Sequence, residues 1–165
     1  MIKNYWLLKS EGDCYSIDDF KKDTEGGKGI PWSGIRSFQA RNFMRDRMNV
    51  GDLAFFYHSN GTKTEPTGIY GIAKVVGKAH IDATALDPKD EHYDAKAVKY
   101  VKEGKDPMWM CVDMTFVKKF ARPISLSEIK LDPILKEMEV AKIGQRLSVM
   151  PVSEKQWSRV LELVK

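Results

Sequence analysis

A chain of 165 residues with 42% hydrophobic and 30% charged side chains can bury a real core, which excludes a disordered or fibrous protein. Its net charge of +4 is compatible with a nucleic-acid partner but too small for a strongly basic, nonspecific binder. Cys14 and Cys111 stand far apart in no metal or redox spacing, which points to a reducing compartment and leaves one distant disulfide open.

The opening MIKNYWLLKSEGD has too short an apolar run for a signal peptide or membrane span, so an intracellular, soluble protein with no membrane role is expected. That means cytoplasmic, or nuclear in a eukaryote. Tyr5 to Leu8 reads as a largely buried first strand, ending in Lys9, Ser10 and Glu11. Ser16 is placed to cap a short helix over Ile17 to Phe20, because its hydroxyl can accept from the free first-turn amides. Glu25 to Gly29 is too glycine-rich for regular structure and is expected to be a mobile loop.

Residues 32–60, WSGIRSFQARNFMRDRMNVGDLAFFYHSN, carry the strongest functional signal. A loop tryptophan, Trp32, precedes a helix expected from about Ser37 to Met48 with Phe38, Ala40, Phe43, Met44 and Met48 as its apolar stripe. Arg36 and Ser37 sit at the helix start, where exposed amides and a guanidinium together can hold an anion. Arg41 and Arg45 share a helical face, readable as phosphate contacts or as a plain solvated surface. Gly51 suits a positive φ in the following turn. Leu53 to Tyr57 lacks alternation, so both of its faces are expected to be covered. Tyr57, His58, Ser59 and Asn60 end that strand, where polar groups converge on a ligand at a barrel mouth, although Asn60-Gly61 also reads as a simple turn.

Thr67 to Val76 is a further strand in which Gly68 and Gly71 mark a bulge or a close backbone approach. Residues 77–107 are acidic and aperiodic, a long excursion that is partly helical at most. Surface histidines such as His80 and His92 are ordinary in such a stretch. Met108 to Val117 alternates, with Trp109, Cys111, Asp113 and Thr115 opposite a methionine-rich face. Trp109 on that polar face is either covered by another element or open to a flat ligand. Ser125 caps Leu126 to Lys130, Asp132-Pro133 opens a short helix, and Leu147 to Val152 closes the sheet. Ser153 and Gln156 form a capping box for a last helix with Trp157, Val160, Leu161 and Val164 on its core stripe. Trp6 and Trp157 read as core.

Short strands with helices around the ends, and no repeated strand–helix alternation, predict an α+β fold: a mostly antiparallel β-barrel with surrounding helices in one domain over 1–165. No Gly-rich phosphate loop, metal-spaced His/Cys set or nucleophile motif is present, so no cofactor, metal or catalytic residue is assigned. An aromatic surface, polar groups and arginines in one segment suit a nucleobase pocket beside a backbone clamp. The rival is an enzyme in which Lys9 and Glu11, grouped with Ser10, activate water or a leaving group. A third reading is a protein-interaction module using the acidic excursion.

The segments YWLLKSEGDCYSIDDF, PWSGIRSFQARNFMR, MNVGDLAFFYHSN, GIYGIAKVV, MWMCVDMTFVKKFARPISLSEIK and RLSVMPVSEKQW, in this order, resemble the EVE domain family. Gly12 stands where the family's KSEP motif has proline, and GTKTEPTG lengthens the loop after HSN. The resemblance implies a PUA-like pseudobarrel, related to YTH and ASCH domains, that holds a modified base of DNA or RNA in an aromatic pocket; the ASCH relationship implies the enzyme rival as a hydrolase of modified bases or nucleosides. It implies Trp32 and Trp109 as walls, Ser10, Ser59, Asn60 and Ser148 as polar contacts, and Arg36, Arg41 and Asn42 at the sugar-phosphate. Lys9, Ser37, Tyr57, His58 and Arg146 complete the expected site of a noncatalytic, monomeric reader.

Overall fold

The computed structural model describes residues 2–165. In chain order the elements are β1 (Tyr5–Ser10), α1 (Ile17–Asp23), β2 (Ile30–Pro31), α2 (Phe38–Asn42), β3 (Leu53–His58), β4 (Gly68–Val75), β5 (His80–Ile81), α3 (Ala95–Lys102), β6 (Met110–Cys111), β7 (Asp113–Ser125), α4 (Leu126–Leu131), β8 (Val149–Val152) and α5 (Glu154–Leu163). Six strands form one curled sheet in the order β2-β7-β4-β3-β1-β8, and β5 pairs with β6 separately. Only β1 and β3 run parallel within the larger sheet; its other pairings are antiparallel. The expected α+β, PUA-like fold with surrounding helices is present, and its barrel is a curled half-barrel.

β1 and β3 show why their sequences do not alternate in polarity. Successive side chains on a strand point to opposite faces, and here each face has its own core. Trp6, Leu8, Ala54 and Phe56 join one cluster with Phe20, Trp32 and Met44. Leu7, Phe55 and Tyr57 join another with Ile129, Leu135 and Trp157. Trp157 stacks on Phe55 with centroids 4.1 Å apart and on Tyr5 at 4.5 Å, and Trp6 donates its indole N–H to buried Asp52 at 3.0 Å. Both tryptophans are core, as expected.

The helix starts follow their caps. Ser16, Ser125 and Ser153 each open a capping box, with Asp19, Glu128 and Gln156 reaching back to the cap amide. Asp132 accepts from the amides of Ile134 and Leu135, starting a short 3-10 turn at Leu135–Glu137. Gly51 has φ +96°, as its turn requires. At Gly68 and Gly71 the neighbouring strand lies so close that a Cβ would sit 2.1 Å from the carbonyl oxygens of Ile124 and Lys118, and the β4–β7 register shifts at this point.

Three local readings differ. The expected helix from Ser37 to Met48 is α2 followed by a π-turn over Phe43–Arg47, and Phe38 lies on the surface while Ala40 and Met44 are buried. Glu25–Gly27 forms a 3-10 turn, with Gly26 and Gly27 at positive φ. The strand expected over Met108–Val117 breaks at Val112. Cys111 and Thr115 are as buried as Met114, so its second face is covered rather than polar. β7 then continues to Ser125 through Lys118 and Lys119, whose exposed charges hid the strand. The excursion is partly helical, as expected, with α3 and a 3-10 turn over Ala83–Leu86.

Candidate nucleic-acid interface

A cleft of about 1020 Å³ opens where β1, β2 and β3 end, large enough for a nucleotide-sized ligand. Lys9, Ser10, Trp32, Arg36, Ser37, Ser59, Arg146 and Ser148 line it, together with Glu11, Cys14, Tyr15, Ser33, Gly34, Ile35, Glu91 and His92. Parallel pairing puts Ser10 level with His58, so the two strand ends meet at one rim, and the Ser59 amide donates to the Ser10 carbonyl at 2.8 Å.

The polar groups at the rim are partly committed. Ser10 Oγ donates to the Tyr15 carbonyl at 2.6 Å, and Ser59 Oγ to the Ser10 carbonyl at 3.3 Å. Both hydroxyl oxygens keep lone pairs for an incoming donor. Lys9 Nζ donates to the Gln145 carbonyl at 3.3 Å, and burial lowers its pKa. Ser37 Oγ caps α2 through the Ala40 amide. Arg146 is exposed and, among the described residues, makes no hydrogen bond or ion pair, so its charge is free to meet a phosphate.

Trp32 lines the cleft beside Tyr15. Its amide donates to the Val112 carbonyl at 2.8 Å, continuing the β2–β7 ladder, and its ring meets Phe20 and Phe56 edge-on at 5.9 and 5.5 Å. Only 7% of the residue reaches solvent, so it offers a strip of ring rather than an open face.

Trp109 does not share this cleft. It is equally buried in a separate cluster with Ala85, Ala97 and Met108, stacked on Phe38 at 4.9 Å, with its indole N–H given to Asp94 Oδ2 at 2.7 Å. The expected sandwich between two indoles is therefore corrected. α3, which the aperiodic sequence concealed, supplies the partner that covers Trp109.

Arg36 lines the cleft but differs from the expected phosphate contact. Its five N–H donors are all taken: Nε and Nη2 by the His92 carbonyl, Nη1 by the Ile35 carbonyl and Asp82, and Nη2 again by Thr84 Oγ1. Fully buried Asp82 also accepts from the Gly34 and Thr84 amides and the Thr84 hydroxyl. Burial alone would raise its carboxyl, but hydrogen bonds from Thr84, Arg36 and Gly34 outweigh that and hold it below the usual range.

The remaining expected residues lie off the cleft. Arg41 donates to the Met108 carbonyl and to Asn42, and packs over Phe38. Tyr57 points into the core on the opposite face of the sheet, where burial pushes its hydroxyl up to about 12. His58 is buried, stacks on Tyr70 at 3.8 Å, and accepts the Ile17 amide through Nε2 at 3.1 Å. Burial lowers its pKa, so this histidine is a neutral anchor for α1. Asn60 is exposed and donates to Asp13 at 3.1 Å. Glu91 and His92 went unassigned because nothing in an aperiodic acidic stretch marks which residues fold back over the cleft.

Glu11, Asp13 and Cys14 bring ligand-type atoms within 4.8 Å of one another at the surface. The hydrogen bond to Glu11 and the nearby Asp13 charge push the Cys14 thiol up, the opposite of what a thiolate ligand needs. Neither cysteine is in a disulfide. Among the described residues no helix is long and apolar enough to cross a membrane.

A half-barrel with a polar cleft at its strand ends defines a PUA-like domain. The family model for the EVE domain matches residues 4–163, and the chain belongs to that family. Thymocyte nuclear protein 1 of Gallus gallus is 37% identical over 175 residues, covering 96% of this chain and 68% of that protein. A crystal structure of a Pseudomonas syringae protein superposes with a TM-score of 0.85 at 41% identity, covering 98% and 99% of the two chains. Human THYN1 protein in complex with 5-methylcytosine-containing DNA superposes at 0.83 with 35% identity, covering 99% and 98%. A Zymomonas mobilis ASCH protein, at 0.51 and 11% identity, shares the fold alone.

Proposed function

We propose that this chain is a noncatalytic reader that takes a modified base of a nucleic acid into the cleft bounded by Lys9, Ser10, Trp32, Ser59 and Ser148, with 5-methylcytosine in DNA as the principal ligand. The observation that carries the reading is the combination of Trp32, serine hydroxyls and an unpaired Arg146 around one cleft. The likeness to a THYN1 protein seen with 5-methylcytosine DNA supports it.

The chemistry matches a pyrimidine. Cytosine offers an exocyclic amine as a donor, and Glu11, Glu91 and the serine oxygens are acceptors at the rim. A 5-methyl group would gain apolar contact from the Trp32 strip, Tyr15 and Ile35. Burying one such carbon contributes about 0.8 kcal/mol, or about a fourfold preference over unmodified cytosine. Extruding a base from a duplex costs a few kcal/mol. Full stacking on an open ring contributes about 1–3 kcal/mol and the exposed strip of Trp32 supplies only part of that, so phosphate contacts such as Arg146 must add to the pocket for a duplex to bind. Filling the cleft with Ser148→Trp should abolish the preference for modified DNA while thermal stability stays close to wild type. Retained discrimination in that variant would sink the assigned cleft.

One observation favours a second reading. The lowered pKa of Lys9, in a cleft that also holds Glu11, suits a hydrolase of modified nucleosides. New products by mass spectrometry on incubation with such nucleosides, lost in Lys9→Ala, would establish it over the reader.

A further inference from the structure

Beside the cleft stands a turn for which the base-binding site has no use. The Gln145 amide donates to the Lys142 carbonyl at 3.2 Å, closing a β-turn with Ile143 and Gly144 at its tip, and Gly144 has φ +74°. Ile143 is 101% exposed, more than any other large hydrophobic residue among those described. A single exposed aliphatic is ordinary on a protein surface. Three further features set this one apart.

First, the turn is braced. Gln145 Nε2 donates to Glu139 at 3.2 Å, Gln145 Oε1 accepts from the Leu147 amide at 3.0 Å, and Lys142 pairs with Glu139. The tip is thus held out from the body instead of folding onto it. Second, it adjoins the cleft: Lys9 Nζ, inside the cleft, donates to the Gln145 carbonyl, and Arg146 immediately after the turn lines the same cleft. Third, the apolar tip is followed by Arg146, which is unpaired among the described residues, so a free positive charge stands beside the apolar contact where a phosphate would lie, while Lys142 on the other side is held by Glu139.

We propose that Ile143 is a wedge that enters the base stack of a nucleic-acid duplex as a neighbouring base is withdrawn into the cleft. This rests on the base-reading function. Taking a base out of a duplex leaves a gap and unstacks its neighbours, and aliphatic side chains inserted at base steps fill such gaps in other nucleic-acid-binding proteins. A rigid turn serves this better than a mobile one, because its ordering cost is met in the free protein. The occupant is thereby a duplex: a single strand has no stack to hold open, so Ile143 matters little there.

The test is a fluorescence-anisotropy titration of wild type and Ile143→Ala against a duplex with one 5-methylcytosine, the same duplex unmodified, and the corresponding single strands. Because the Ile143 side chain is fully exposed, the variant keeps its fold. The expected result is about tenfold weaker binding of Ile143→Ala to the modified duplex, with affinity for the modified single strand within about twofold of wild type. Unchanged duplex affinity, or an equal loss on both forms, overturns the wedge while leaving the cleft assignment standing. A wild type that fails to prefer the modified base on either form overturns the base-reading function itself, and the wedge with it.

Discussion

Arg36 Nη1 lies 2.9 Å from Asp82 Oδ2, and this ion pair fastens the 82–92 segment to the loop that carries Trp32 and Gly34. Asp82 is fully buried and Arg36 about three-quarters so, which makes the pair a clamp on the cleft wall. Arg36→Ala would leave a buried carboxylate without its cation, a loss of about 3–5 kcal/mol by the usual cost of breaking such a pair. Urea denaturation should show that loss. Nucleic-acid binding should weaken because His92 and Glu91 lose their anchor, and Arg36→Lys should rescue little, since an ammonium with three donors cannot serve four acceptors.

The same pair sets an acid limit. A carboxyl held below its unfolded value contributes stability above the ordinary aspartate range and loses it as pH falls through the folded value. Wild type should therefore lose stability on acidification below about pH 4. Asp82→Asn should be less stable at neutral pH and show a flatter acid limb in urea melts.

Two histidines should have pKa values shifted in opposite directions. Burial lowers His58, so its contribution is present above the ordinary histidine value of about 6.5 and is lost as pH falls toward the folded one. The hydrogen bond to Asp113 raises His80, so its contribution is present below that value and is lost as pH rises through the folded one. Imidazole NMR titration should give the two midpoints on opposite sides of 6.5.

Trp109 offers a test by sparing function. Trp109→Phe removes the bond to Asp94 but keeps a ring against Phe38, so stability should drop by about 1–2 kcal/mol. Discrimination between modified and unmodified oligonucleotides should persist. Loss of discrimination at full stability would return Trp109 to the binding surface.

Arg146 is expected to act through charge. Arg146→Ala should weaken binding to modified and unmodified DNA alike, and reduce the slope of log affinity against log salt by about 1. A change confined to the modified oligonucleotide would make it a base contact instead.

How far the chain could be read before its fold was seen depended on how local each signal was. The Ser153–Gln156 capping box and the Trp157 stripe lie within one helix, and both stand as read. β1 and β3 could be recognised as strands covered on both faces, yet their parallel pairing, which brings Ser10 and Ser59 together, depends on partners more than 40 residues apart. Trp32 could be singled out because no regular face claimed it. Trp109 misled because its cover comes from α3, in a stretch whose charges hide its helix. Arg36 misled for a related reason: a guanidinium before a helix looks the same whether it awaits a phosphate or is bound to a buried Asp82 far along the chain.

The most direct measurement is the dissociation constant of the wild-type protein for two otherwise identical DNA oligonucleotides, one with cytosine and one with 5-methylcytosine, at the same salt concentration. A cleft that buries the methyl group beside Trp32 should favour the modified strand by about fourfold or more. Equal constants for the two would contradict it.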